Sequence, residues 1–421
     1  MLLQFIFKNF KSFRDDTYLD LTATKMTELS NHVVSIVNEK VLPVAAIYGA
    51  NASGKSNVRE AFEYMSSYVL NSLDFGGESK GKREERRFFA PTPFLLEKQS
   101  QEAPSEFEVY FTDESTSVEK IYNYGFSVDQ LGVVEEWLNY KTKSARKQQK
   151  MIFYRNRNGE MDLSGINERQ AENIRVSLEK ETLIVSLGAK LRIPKLKVIR
   201  EWFWNNEVAD FGHPMENYFL SRQLPRDFEL EETQRDVIRF FSAFDESIVG
   251  FNVEKDKRED GSTKFSIDAI HKMNDSEDTV TIPLSMESAG TLKMFALYPM
   301  LHDVIKSGGV LFVDELNARL HPLLVRTFVI TFLDPEININ HAQLIFTTHD
   351  SWQLNSNLLR RDEVWFTEKG KDGASTLYSL ADFCEEDGTK IRKDENFEKN
   401  YLLGKYGAIP KMKNIDVRKG E

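Results

Sequence analysis

Hydrophobic and polar positions alternate over residues 2–22, where Leu3, Phe5, Phe7, Phe10 and Phe13 are followed by Tyr18, Leu19 and Leu21. Alternation with period two marks a half-buried strand, so the pattern predicts two strands around a turn near Arg14-Asp15-Asp16. Residues 41–48 (VLPVAAIY) form a short apolar run that Gly49 ends. The spacing then changes. Apolar residues at 58, 62, 65, 69 and 73 predict a helix over 56–73 with one buried face. Strand-like stretches return at 106–128 (FEVYF, KIYNYGFSV) and 133–155 (VVEEWLNYK, MIFYR), which together predict an antiparallel sheet. Residues 165–245 read as mainly helical, with breaks at Pro194, Pro214 and Pro225. Short strands are expected across 249–283. Beyond them a helix from about 289, a strand at 309–313, a helix from about 322 and a strand at 343–347 follow one another. Such alternation predicts a parallel sheet with crossover helices.

The expected architecture is α/β, a core split between the two ends of the chain with a long insertion between its halves. Residues 1–75 form the first half, 76–160 an antiparallel β region, 161–245 a helical insertion and 246–421 the second half. There is no internal repeat, low-complexity tract or long heptad array. With 421 residues, 41% of them hydrophobic and 12% aromatic, the chain has material for a large core, which excludes global disorder. Its net charge of −11 changes the expected partners. An acidic chain does not coat DNA or anionic lipid through bulk charge, so any such contact needs a local basic patch. The single cysteine, Cys384, excludes an intramolecular disulfide framework and a Cys-rich metal cluster. It lies beside Glu385, Glu386 and Asp387, which disfavour a thiolate, and is assigned no role. No apolar run approaches the roughly 20 residues that span a bilayer. Lys8 and Lys11 interrupt any signal-peptide pattern in MLLQFIFKNFKSF. A soluble cytoplasmic protein, without a membrane partner, is expected.

Gly49-Ala50-Asn51-Ala52-Ser53-Gly54-Lys55-Ser56 fits the phosphate-loop pattern G-x-x-x-x-G-K-S, between an apolar strand and an amphipathic helix. Glycines let the backbone curl so that its N–H groups face phosphate oxygens, and the following helix adds its positive end. Lys55 would supply a point charge to the β- and γ-phosphates of a nucleotide, and Ser56 its hydroxyl to Mg²⁺. Val310-Leu311-Phe312-Val313 is an apolar run ending in Asp314-Glu315. A buried parallel strand reads this way, and ligands gather at its carboxyl end. Coupled to a phosphate loop, Asp314 becomes the candidate Mg²⁺ holder and Glu315 the candidate base that polarises the attacking water. Glu287-Ser288-Ala289-Gly290-Thr291, just ahead of a helix, is either a further anion site or a plain N-cap. His349, after QLIFTT, is either a satisfied loop histidine or a contact to a γ-phosphate.

In this order, phosphate loop, Ser288 turn, acidic strand and His349 resemble the ATP-binding-cassette ATPase heads of the SMC, Rad50, RecF and OLD proteins. The opening FKNFKSF and the loop variant GANASGKSN, which brings in Asn51, Ser53 and Asn57, strengthen the resemblance. Ser288-Ala289-Gly290-Thr291 resembles the S-x-G-T form of the signature motif. Leu320-His321-Pro322 resembles the D-loop of the RecF-like and OLD-like branches. Tyr401 to Pro410 (YLLGKYGAIP) looks like the closing motif of bacterial AAA15-type ATPases, which include the RloA and AbiL abortive-infection proteins. The resemblance covers roughly 1–75 and 246–411. It implies an ABC-type head, a P-loop parallel sheet with an antiparallel β-subdomain and here a helical insertion. The family's Q-loop glutamine has no clear counterpart, with Gln99 and Gln101 as candidates. Without a long coiled coil, no Rad50-like tether is expected. Nor is the Toprim nuclease domain of OLD proteins, because the chain stops soon after the closing motif.

The resemblance further implies ATP with Mg²⁺, sandwiched between the phosphate loop of one copy and the signature turn, Ser288 and Gly290, of another. A homodimer or higher homo-oligomer follows, acting as an ATP-driven switch on a separate effector in anti-phage defence, such as a nuclease or toxin. The alternative is a RecF- or Rad50-like repair ATPase acting directly on DNA, with Lys80–Arg87, Lys141–Lys150 and Arg192–Arg200 as contacts. A third reading keeps the heads as a scaffold with slow or vestigial hydrolysis. Trp202-Phe203-Trp204 could stack on bases, but within a helical stretch packing is the expected role.

Overall fold

The opening alternation forms β1 (Leu2–Lys8) and β2 (Thr17–Asp20), paired antiparallel around the expected turn. The computed structural model describes residues 1–75, 90–113, 119–142, 149–213, 215, 228, 230–257, 263–274, 276–384 and 390–410. Pro214, Pro225, the charged stretch 76–87 with its Lys80–Arg87 cluster, most of Lys141–Lys150 and the acids after Cys384 lie outside the described residues. A small hairpin, β3 (Val34–Ile36) and β4 (Glu39–Val41), leads into β5 (Val44–Gly49). Helix α1 (Lys55–Asn71) follows and buries Val58, Phe62, Met65 and Val69 on one face. Burying each such side chain contributes about 1.5–3 kcal/mol.

After the short α2 (Lys98–Glu102) come β6 (Ser105–Asp113), β7 (Lys120–Asp129), β8 (Gly132–Thr142), β9 (Lys150–Asn156) and β10 (Met161–Asp162). With β1 and β2 they make a seven-stranded antiparallel sheet in the order β10-β9-β8-β7-β6-β1-β2. The antiparallel subdomain thus takes its last two strands from the start of the chain. Helices α3 (Glu168–Ser177), α4 (Ile184–Lys190) and α5 (Pro194–Trp204) follow, and Pro194 opens α5 rather than interrupting a helix. Packing claims two of the three aromatics of α5. Trp202 stacks on Phe111 at 4.3 Å and Phe203 meets Tyr124 at 6.0 Å, while Trp204 is exposed.

One element departs from the expected helical insertion. Residues Glu207–Asp210 form a strand, β11, which pairs in parallel with the acidic strand. Next come α6 (Glu231–Ser242) and a three-stranded antiparallel sheet of β12 (Ile248–Lys257), β13 (Thr263–Lys272) and β14 (Thr279–Pro283). The expected alternation then appears as α7 (Ala289–Ser307), β15 (Val310–Asp314), α8 (Pro322–Leu333) and β16 (Gln343–Thr347). Strands β17 (Val364–Lys369) and β18 (Ser375–Ser379) and helix α9 (Phe397–Leu402) complete the fold.

The central sheet runs β11-β15-β16-β5-β17-β18, parallel except for the last pair. Both of its faces are covered, as parallel sheets require. Ala45, Ile47, Phe312 and Ile345 face α1 and the antiparallel sheet. Val44, Ala46, Tyr48, Leu311, Val313 and Phe346 face α7, α8 and the closing segment. That segment packs on the back of the phosphate-loop strand: Tyr401 lies 6.0 Å from Tyr48 and 5.5 Å from Phe366. Gly407 has φ +70°, and a Cβ there would sit 2.9 Å from the Tyr378 hydroxyl, so the turn requires glycine. The fold class is therefore the expected one, a P-loop parallel sheet joined to an antiparallel β-subdomain.

Candidate functional site

The five parallel strands β5, β11, β15, β16 and β17 end at the same edge of the sheet, where open α/β sheets bind ligands. The chain leaves β5 through Gly49, turns over 50–53 and enters α1 at its N-cap, Gly54, with φ +112°. A Cβ on Gly49 would lie 2.5 Å from Thr367 Oγ1 and 2.6 Å from Ser53 Oγ, so no larger residue fits. Ser53 Oγ is 2.6 Å from Thr367 Oγ1, which fastens the loop to β17. Lys55 is 5% exposed and bends back to donate to Gly49 O (2.9 Å) and Ala50 O (3.2 Å). Burial pushes its ammonium down, and the Glu315 and Asp314 carboxylates pull it back up. Asn51 is exposed at the loop tip. Asn57 donates to Ser12 Oγ at 2.7 Å, so its amide secures the loop against the β1–β2 turn.

Asp314 closes β15 and is 2% exposed. Burial raises its carboxyl, hydrogen bonds from Thr347 and Ser56 lower it, Asp210 raises it and Arg59 lowers it. Ser56 and Asp314 therefore sit side by side, two hard oxygen donors in contact. Mg²⁺ is held by one or two protein oxygens of this kind together with phosphate oxygens, so the residues fit that ion. Glu315 has φ +52°, rare for a residue with a long side chain. Thr347 Oγ1 accepts its N–H at 3.0 Å and donates to Asp314, so one threonine orients both acids. Glu315 Oε1 is 2.9 Å from His349 Nε2. Burial raises the Glu315 carboxyl, but the His349 hydrogen bond and the charges of His349, Lys55 and Lys293 outweigh it and hold it below the usual range. An ionised, half-buried carboxylate of this kind can polarise a water.

Sequence reasoning missed three contributors. The first is Asp210, in register with Asp314 on the neighbouring strand. Its carboxylate accepts from Gly212 N (2.8 Å), His213 N (2.9 Å) and the Arg59 guanidinium (3.2 Å). Arg59 comes from α1, one turn beyond Ser56, and is 3% exposed. The turn after β11 also abuts Glu315: a Cβ on Gly212 would lie 3.0 Å from its Cγ. The second is the threonine pair Thr347 and Thr367. The third is Lys293, on α7 and 1% exposed. It donates to the carbonyls of Glu315 (3.1 Å), Leu316 (2.7 Å) and Ala318 (2.8 Å), and its ammonium lies 4.4 Å from the Phe211 ring. Lys293 thereby ties the helix behind Ser288 to the turn that carries Glu315.

Burial pushes the Lys293 ammonium down to about 7, against the pull of Glu315. A lysine lowered in the folded state leaves the unfolded chain holding more protons, so stability rises with pH above 7 until the unfolded lysine itself titrates. Urea unfolding at about pH 7.5 and about pH 9.5 should show that rise, and Lys293→Met should remove its share of it.

The Ser288 turn caps α7. Ser288 Oγ accepts from Thr291 N at 3.1 Å, so the N-cap geometry is present, with Ser288 and Ala289 exposed. Gly290 packs close to the Arg319 carbonyl, where a Cβ would lie at 3.2 Å. His321 caps α8 by accepting from Leu323 N at 3.2 Å. Of the Q-loop candidates, Gln101 donates to Leu95 O at 2.7 Å and Gln99 is exposed.

No curated protein matches the chain. Among solved structures, the recombination mediator protein RecF with ATP, of the RecFOR pathway, is similar at 13% identity, covering 90% of this chain and 97% of that one, with a TM-score of 0.37. A family model, "AAA domain, putative AbiEii toxin, Type IV TA system", matches residues 44–351, from the phosphate-loop strand to just past His349. The chain belongs to this family of AAA domains.

Proposed function

We propose that this chain is a magnesium-dependent ATPase acting as a switch. Two copies close on ATP, each nucleotide held between the phosphate loop of one copy and the Ser288–Gly290 turn of the other. The observation that carries this reading is the convergence of Lys55, Ser56, Asp314, Glu315 and His349 at one edge of the sheet, with Ser56 bonded to Asp314 and Glu315 to His349. The loop amides and Lys55 would hold the β- and γ-phosphates, exchanging the Lys55 bonds to Gly49 and Ala50 for phosphate oxygens. Ser56 and Asp314 would hold Mg²⁺, which when bound offsets charge on the phosphates. Glu315 would orient the attacking water, with His349 fixing the carboxylate. Catalysis is then mainly positioning and charge stabilisation. Hydrolysis removes the γ-phosphate contacts that favour the closed pair.

The output, on this reading, passes to a separate effector in anti-phage defence, as the motif resemblance implies; the family description names a "putative AbiEii toxin" of a toxin–antitoxin system. Direct action on DNA is the alternative. Several cations it would use are engaged within the chain: Lys195 on Gly165 O, Lys197 on Glu201, Arg200 on Leu70 O and Lys141 on Glu39. We therefore place the output on a protein partner. Light scattering on the full chain tests the switch. MgATP should double the mass and MgADP should not; equal masses in both would refute it.

A further inference from the structure

Polar side chains outside the nucleotide site hold the Ser288 turn. His271, on the central strand β13, lies between two partners. Its Nε2 is 2.8 Å from Glu287 Oε1 and its Nδ1 is 2.9 Å from Ser247 Oγ. Ser247 Oγ is in turn 2.6 Å from Asp245 Oδ1. The His271 and Glu287 side chains are 12% and 10% exposed, so little water competes.

A carboxylate only accepts, so Nε2 donates to Glu287. Asp245 Oδ1 accepts from Ser247 N at 3.0 Å as well as meeting its hydroxyl, so Ser247 is held from the side away from the ring. Among the described residues, the charged groups facing the ring are Asp245, from the loop after α6, and Glu287. Across the sheet β12 presents Ile248 and β14 presents Val280, and the turn at 284–286 packed on β13 is Leu-Ser-Met. Glu287 immediately precedes Ser288, the N-cap of α7.

We infer that His271 is a positioning residue: held between Ser247 and Glu287, it ties Glu287, and with it the Ser288–Thr291 turn, to the β12–β13 sheet, and so sets how firmly that turn can grip a triphosphate. The functional part rests on the sandwich reading above; the tether does not.

Hydrogen exchange on the nucleotide-free full chain tests the tether. Amides of 287–292 should exchange about tenfold faster in His271→Gln, the loss expected for one charge-assisted bond. Glu287→Gln, which leaves β13 intact, should behave like His271→Gln. Unchanged exchange in both variants would overturn the tether. MgATP-induced pairing then tests the grip. His271→Gln should pair about tenfold more weakly with calorimetric MgATP binding unchanged. Equal pairing in variant and wild type overturns the positioning role. If wild type itself fails to pair, the sandwich reading falls, and the exchange data decide the tether alone.

Discussion

Replacing Glu315 by Gln should lower the rate of ATP hydrolysis by about 100-fold or more, within the range a positioned general base contributes, while MgATP still binds. The amide keeps the volume of the side chain but cannot draw a proton from water. The backbone that presents it should survive, because the φ of +52° is held by the Thr347 hydroxyl and by Lys293, neither of which touches the Glu315 carboxylate. With hydrolysis blocked, paired copies should accumulate. Phosphate release and light scattering on the same preparation measure both effects. Wild-type turnover in this variant would remove Glu315 from the role of base.

Lys55→Ala should weaken MgATP binding by at least about 100-fold, the loss of two hydrogen bonds to a charged group at about 1.5–3 kcal/mol each. Without ligand, burial lowers the Lys55 ammonium, so the free chain keeps this charge at a cost that a triphosphate relieves. The substitution should therefore leave the melting temperature of the free chain unchanged or slightly higher, and abolish its rise with MgATP. Calorimetry and thermal melts, with and without nucleotide, separate this from simple unfolding. Undiminished binding would place the nucleotide elsewhere.

The parts of the fold legible in the sequence are those whose signal is local. The phosphate loop is eight contiguous residues, the acidic strand six, and α1 repeats its apolar face every three to four positions. The remainder depends on pairing between distant segments. Glu207–Asp210 is too short and too mixed to alternate, and only the neighbouring β15 makes it a strand. That strand delivers Asp210, so the acid beside Asp314 was invisible with it. Thr347 and Thr367 are ordinary strand threonines until the sheet sets them beside Asp314 and Ser53. Lys293 did leave a trace. A lone lysine in the apolar stretch from Leu292 to Leu301 either interrupts a buried face or has a buried task, and its three carbonyl bonds show the second.

The sheet partners of β5 carry a consequence for how the molecule is made. The strand that bears the phosphate loop is joined on one side by β16 and on the other by β17, both from the last hundred or so residues of the sequence. During synthesis the loop emerges early and waits, without neighbours, for most of the chain to follow. Contacts so far apart in sequence form late and slowly. Nucleotide can therefore reward only a finished polypeptide, and a ribosome-bound fragment ending before β17 should gain nothing from ATP.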